Sequence, residues 1–374
     1  MAGTASERKS FLKFIAYLQV IGIILVVFGH SFHEYPDGSM GKTLLVYRMM
    51  YSFRMPLFMF VSGFLMVYTC FMDGRSSKWI SFAASKIKRL LIPYFFLTLI
   101  TFVPRASLSF MADDSITLSA ESLFRALFYS GENMVIPLFW FLQASFLLLV
   151  ITHLLISAAK KISVPDVVTY VFLIVLSLSL LVLPFEAGSF FSFSDVVRLA
   201  VYFVLGASYC RFHETIDRYI DWTSVFVLAS SAVLWILLFF LTEGSQWSAV
   251  CSVFGIIMCV SISKIMECRG ITLLDPIIGA NYMIFLLSWY FNVLSQQVLA
   301  YFTDMPWWCY TVVSLFSAIY FPLMLYRFMK RNAGMKWVRI ASLLLGQNIG
   351  RKSVGHAPQD ERRFGTHVEK KVGC

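Results

Sequence analysis

Phe14-Ile15-Ala16-Tyr17-Leu18-Gln19-Val20-Ile21-Gly22-Ile23-Ile24-Leu25-Val26-Val27-Phe28-Gly29-His30-Ser31-Phe32-His33 contains no Asp, Glu, Lys or Arg. A helix of about 20 residues is about 30 Å long, the thickness of the hydrocarbon core of a bilayer. Arg8, Lys9 and Lys13 precede the run, and His33-Glu34-Tyr35-Pro36 closes it without a small-x-small cleavage site. It therefore reads as an uncleaved first transmembrane helix and not as a secretory leader. Nine further apolar stretches follow, at 49–71, 90–110, 137–157, 166–184, 196–210, 222–241, 247–263, 275–298 and 306–326. The expected fold class is all-α, a polytopic membrane protein with about ten transmembrane helices. The expected layout is an N-terminal cytoplasmic segment 1–13, a transmembrane domain 14–326 and a basic cytoplasmic tail 327–374.

Composition supports this class. Of 374 residues, 59% are hydrophobic and 14% charged, against about 25% charged in a soluble domain. The chain holds 37 phenylalanines, more apolar surface than a water-soluble fold of this size can hide. The formal charge of +10 does not point to nucleic acid, because the basic residues fall in short clusters between the apolar runs. With the N-terminus inside, the inner segments hold all of the 31 Lys and Arg except Lys42, Arg48, Arg54, Arg105, Arg125 and Arg198. This is the asymmetry of the positive-inside rule, and it places both termini in the cytoplasm. The seven cysteines show no CxxC pair, so neither a disulfide framework nor a metal site is expected.

Ionisable groups inside a membrane are costly, which makes each a functional candidate. His30 lies about 24 Å above the inner end of the first run. Arg54, in the second run, lies about 25 Å above its inner end. The two thus share a depth on consecutive helices. A titratable base beside a fixed cation can serve catalysis. The competing reading is an interfacial histidine with an arginine snorkelling to the outer headgroups. Lys88 and Arg89, with Lys86, lie at the inner face, where they either anchor topology or hold an anionic ligand. Trp140 is placed either in the interfacial aromatic belt or in the site. His153 reads as structural, and Asp195 with Arg198 as an interfacial ion pair three residues apart.

The segment Phe53-Arg54-Met55-Pro56-Leu57-Phe58-Met59-Phe60-Val61-Ser62-Gly63-Phe64, taken with Gly29-His30, resembles the membrane-bound acyltransferase-3 family, and within it the fucose-4-O-acetylase-like branch. Lys88-Arg89-Leu90-Leu91-Ile92-Pro93-Tyr94 is similar to the family's entry to its third helix, and Leu138-Phe139-Trp140-Phe141-Leu142 to its Leu-Trp-Phe-Leu element. Ile278-Gly279-Ala280-Asn281 through Ser288 resembles its late Gly-x-x-Ser helix. The resemblance covers about residues 11–326. Two positions depart from the family pattern, Gln19 where Arg or Lys is common and Ser288 where a histidine stands.

The resemblance implies an O-acyltransferase, most readily an O-acetyltransferase, of a bacterial cytoplasmic membrane. Its donor substrate would be cytoplasmic acetyl-CoA, with no permanently bound cofactor. Its acceptor would be a hydroxyl of an extracytoplasmic or lipid-linked glycan. Membrane lipid and the glycan or glycolipid are the expected partners. A sugar hydroxyl needs a positioned base, the role given to His30. The oxyanion formed by attack on a thioester would be stabilised by Arg54, or by donors such as Ser62 or Asn281. Lys88 and Arg89 would hold the phosphates of the donor. Gln19, Trp140 and Ser288 complete the candidate contacts. Two other classes compete: a glycolipid flippase or secondary transporter, and a scaffold of an envelope-assembly complex. The absence of internal repeats and of acidic residues well inside a run weighs against transport.

Overall fold

The computed structural model describes residues 5–32, 43–72, 78–107, 116–129, 135–136, 138–182, 189–242, 248–299, 301 and 306–347. The described residues are helical, with no strand among them. Helix α1 (Ala5–His30) and helix α2 (Thr43–Cys70) are followed by α3 (Trp79–Lys86), which passes through a π-helical turn (Ile87–Leu91) into α4 (Ile92–Ser107). A short α5 (Ala120–Phe128) precedes α6 (Trp140–Lys161), α7 (Asp166–Val182) and α8 (Phe193–Tyr219). Helices α9 (Val225–Thr242), α10 (Ser248–Cys268), α11 (Asn281–Leu299), α12 (Trp307–Arg331) and α13 (Lys336–Leu344) complete the order.

Each of the ten apolar stretches falls on a helix. Eight of these helical stretches are long and apolar enough to cross a membrane. The other two differ for separate reasons. Helix α7 is apolar but has only 17 residues, and α11 is diluted by Asn292, Ser288, Ser295, Gln296 and Gln297. Helix α8 extends well past the expected 196–210, to Tyr219. Its charged end is tolerated because Arg211 pairs with Asp166 at 2.5 Å and Asp217 pairs with Lys264 at 2.6 Å. Asp217 also accepts from Tyr209 and Trp222. The expected tail begins inside α12 and includes α13, while 348–374 lies outside the described residues. Cys268 is disulfide-bonded. This one bond departs from the sequence reading, in which no disulfide framework is expected.

Helix α2 is the hub, and its most extensive contact is with α8. Two glycines permit it. A Cβ at Gly63 would run into the Phe203 carbonyl, and one at Gly206 would run into the Phe60 carbonyl. Close backbone approach of this kind is how helices gain packing where lipid offers no hydrophobic drive. The Ser-Gly-Phe portion of the α2 motif thus has a packing reason. Pro56, inside α2, has no N–H for the Ser52 carbonyl four residues back. Ser252 of α10 supplies the missing donor at 2.6 Å, and Trp235 of α9 donates to the Ser52 hydroxyl at 3.2 Å. The proline notch is therefore stitched to two neighbouring helices.

The contacts sort the helix ends into two sets. At one end, Lys13 lies over Tyr17, whose hydroxyl donates to Asp275 at 2.8 Å, and Lys264 lies over Phe14. Lys160 lies over Phe71, and Arg89 over Tyr282. We call this the basic end. The other end carries His30, and it is there that α1, α2 and α11 converge.

Candidate active site

Arg54 is 1% exposed and is the largest fully buried side chain described. Its guanidinium carbon lies 4.2 Å from the centre of the Tyr51 ring and 5.7 Å from that of Tyr47. These three residues are one and two turns apart on a single face of α2. Phe32 meets Tyr47 edge-on at 6.0 Å and Phe28 at 4.9 Å, extending the aromatic cover. The snorkelling reading therefore fails, because the side chain is held inside by rings instead of reaching outward. Nε and Nη1 have no hydrogen-bond partner among the described residues. Unpaired donors on a buried cation are costly and need a reason.

The place of the guanidinium is set by α1. A Cβ at Gly29 would overlap Arg54 Nη1 and stand 3.0 Å from Cζ. Only glycine leaves room for the cation there, which explains the Gly-His dipeptide physically. His30 is the next residue. It is partly exposed at the end of α1, next in sequence to the glycine that faces the Arg54 guanidinium. The shared depth inferred from helical rise is thus a real neighbourhood.

Helix α11 contributes the third wall. Ser31, beside His30, shares its one hydroxyl proton between the Val27 carbonyl at 2.8 Å and Asn292 Oδ1 at 3.2 Å. Asn292 is 2% exposed and its Nδ2 has no partner among the described residues. Ser288, one turn below, is 1% exposed, and its hydroxyl has no partner among the described residues. Gln296, one turn above, donates to the Phe32 carbonyl at 3.5 Å. Asn292 was not among the sequence candidates. Its signal was the spacing Asn281, Phe285, Ser288, Asn292, which is one helical face.

Three expected residues lie elsewhere. Gln19 is about 16 Å below His30 along α1. Ser62 is about 12 Å past Arg54 along α2, beside the α2–α8 contact. Asn281 opens α11 at the basic end, next to Tyr282, whose hydroxyl donates to the Arg89 carbonyl. Below the site the Phe58, Phe141 and Phe285 rings meet, with centroids 5.7, 5.6 and 6.5 Å apart. A Cβ at Gly22 would touch the Phe58 ring at 3.2 Å. Trp140 heads α6, edge-on to Phe141 at 6.1 Å.

Lys88 and Arg89 are exposed on the π-helical turn. Gly346, at φ +61°, backs onto the Arg89 carbonyl, where a Cβ would not fit. His153 is fully buried and stacked on Phe82 at 4.2 Å, a packing role. Arg198 and Asp195 are 3.7 Å apart.

A base and a buried cation with free donors, joined by amide and hydroxyl groups, suit transfer chemistry that builds negative charge on oxygen. Residues 12–327 match the family model described as an acyltransferase domain. The chain belongs to the acyltransferase-3 family. No curated protein and no solved structure matched it. The acyltransferase-3 domain covers every element that builds the site, from α1 to α12. Membership gives the class: the chain is a multi-pass membrane acyltransferase.

Proposed function

We propose that this acyltransferase is an O-acetyltransferase that moves an acetyl group from acetyl-CoA to a hydroxyl of a glycan or glycolipid. His30 takes the hydroxyl proton as the oxygen attacks the thioester carbonyl. The tetrahedral oxyanion sits against Nε and Nη1 of Arg54. The intermediate collapses by breaking the C–S bond, and the CoA sulfur leaves with the proton returned from His30. Lys88 and Arg89 hold the donor phosphates at the basic end, which faces the cytoplasm of a bacterial inner membrane with both chain termini. The acceptor hydroxyl enters from the opposite side.

The observation that carries this reading is the Arg54 guanidinium, buried against Gly29 beside His30 with two donors unspent. The test is acetyl transfer from labelled acetyl-CoA to the native glycan, in membranes holding equal amounts of each variant. His30→Ala should lose on the order of 10²–10⁴ in turnover. Arg54→Lys keeps the charge but loses the planar fork and should also be impaired. The double variant should be scarcely worse than the more damaging single one, as for residues acting as one unit. Near-wild-type turnover by His30→Ala would end the proposal.

A further inference from the structure

The face of α11 that carries Asn281, Phe285, Ser288 and Asn292 runs from the basic end to the histidine. Three of its four residues hold a buried polar atom with no partner among the described residues: Asn281 Oδ1, Ser288 Oγ and Asn292 Nδ2. A helix in lipid satisfies its backbone internally, so these side-chain groups are the ones left to account for. Each costs on the order of 1–3 kcal/mol if it stays unpaired, and three of the buried unpartnered atoms among the described residues fall on this one face. The fourth residue, Phe285, is 4% exposed and lies between the Phe58 and Phe141 rings. From the foot upward the face therefore reads polar, apolar, polar, polar. Its length from Asn281 to Asn292 is about 16 Å.

Both ends of the stripe are tied to groups already assigned. At its foot Tyr282 donates to the Arg89 carbonyl while Arg89 lies over the Tyr282 ring at 5.5 Å. Gly279, at φ +88°, turns the chain into α11 at this point. The first N–H groups of the helix add partial positive charge there, favourable for phosphate. At its head Asn292 is held by Ser31, next to His30.

Resting on the acetyl-CoA reading above, we propose that this face of α11 is the lane in which the pantetheine arm of the acyl-CoA lies. The order of groups along that arm matches the order along the helix. Its phosphate end meets Lys88, Arg89 and Asn281. Its gem-dimethyl carbon meets Phe285 and parts that ring from Phe58 and Phe141. Its hydroxyl and two amides reach Ser288 and Asn292, and the thioester emerges beside His30 and Arg54. The lane makes the unpartnered atoms recognition groups for an extended, amide-bearing chain.

The test compares two donors, acetyl-CoA and S-acetylpantetheine, the latter lacking the phosphates and nucleotide. Ser288→Ala and Asn292→Leu should each raise KM for both donors by the same factor, about five- to tenfold for a lost buried hydrogen bond. Lys88→Gln with Arg89→Gln should raise KM for acetyl-CoA and leave that for S-acetylpantetheine unmoved. Ser288→Ala removes one oxygen and keeps the fold testable if the larger change does not insert. If wild-type protein turns over acetyl-CoA while Ser288→Ala and Asn292→Leu leave both KM values unchanged, the lane is wrong and the acetyltransferase reading stands. If wild-type protein transfers nothing from acetyl-CoA, both are overturned together.

Discussion

Gly29→Ala is the sharpest single perturbation of the site, because it adds one methyl and touches neither His30 nor Arg54 by name. The added Cβ would overlap Arg54 Nη1 and stand 3.0 Å from Cζ. Ordinary contact is about 3.5–4.0 Å, so the guanidinium has to withdraw by an ångström or more toward the Tyr47 and Tyr51 rings. Misplacing a catalytic group by about 1 Å can cost 10²-fold, which corresponds to about 2.7 kcal/mol in the barrier. The helix itself should not suffer, since Ala is favoured over Gly by about 1 kcal/mol in a helix interior. Gly22→Ala is the control on the same helix, seven residues earlier. There the new methyl meets only the Phe58 ring, at 3.2–3.5 Å, and a ring edge can yield a few tenths of an ångström. The assay is acetyl transfer from labelled acetyl-CoA in membranes with matched protein levels, beside a thermal melt in detergent. The expected result is about a hundredfold loss of turnover for Gly29→Ala, with little change in melting temperature. Gly22→Ala should stay within a few fold of wild type. Full turnover by Gly29→Ala would show that the position of the Arg54 guanidinium does not matter, and the site as described would fall.

Three other outcomes follow from the packing. Gly63→Ala or Gly206→Ala sets a methyl against the backbone of the opposite helix, which cannot yield, and should cost about 1–3 kcal/mol of stability, seen as a lower melting temperature of the detergent-purified protein. Ser252→Ala strips the donor from the Ser52 carbonyl and should destabilise by about 1–3 kcal/mol. In a Pro56→Ala background the new N–H serves that carbonyl, so the same change should cost much less, and a fully additive double-mutant cycle would refute the stitching argument. His153→Leu should lower the melting temperature through lost stacking on Phe82 while leaving KM for acetyl-CoA unchanged, and a KM shift in purified protein would argue against a purely structural histidine.

Hydropathy located every long helix because a lipid-facing segment has to be apolar for some 20 residues, a demand soluble proteins do not make. It missed α3, α5 and α13, which are too short to register, and the charged end of α8, whose ion pairs form only in three dimensions. The neighbourhood of His30 and Arg54 was legible because a fixed rise per residue turns sequence position into depth. The same arithmetic places Asn281 at the opposite end, yet its side-chain chemistry had suggested the oxyanion. Asn292 was overlooked because attention to ionisable groups passes over an amide, although its spacing from Ser288 and Phe285 was in plain view. Nothing local could reveal why Gly29 is glycine, since the atom that excludes a methyl belongs to a residue 25 positions away.

The ring layer of Phe58, Phe141 and Phe285, closed on one side by Gly22, bears on the energetics of the whole cell. Under the proposed function the two substrates arrive from opposite faces, and such an enzyme needs an opening through the membrane, which is a leak. Rings with centroids about 6 Å apart and a bare glycine offer nothing to solvate an ion or carry a file of water, and stripping an ion of its hydration costs several kcal/mol. A chain threaded through such a layer replaces ring against ring with apolar carbon against ring, so the seal persists while the arm is in place.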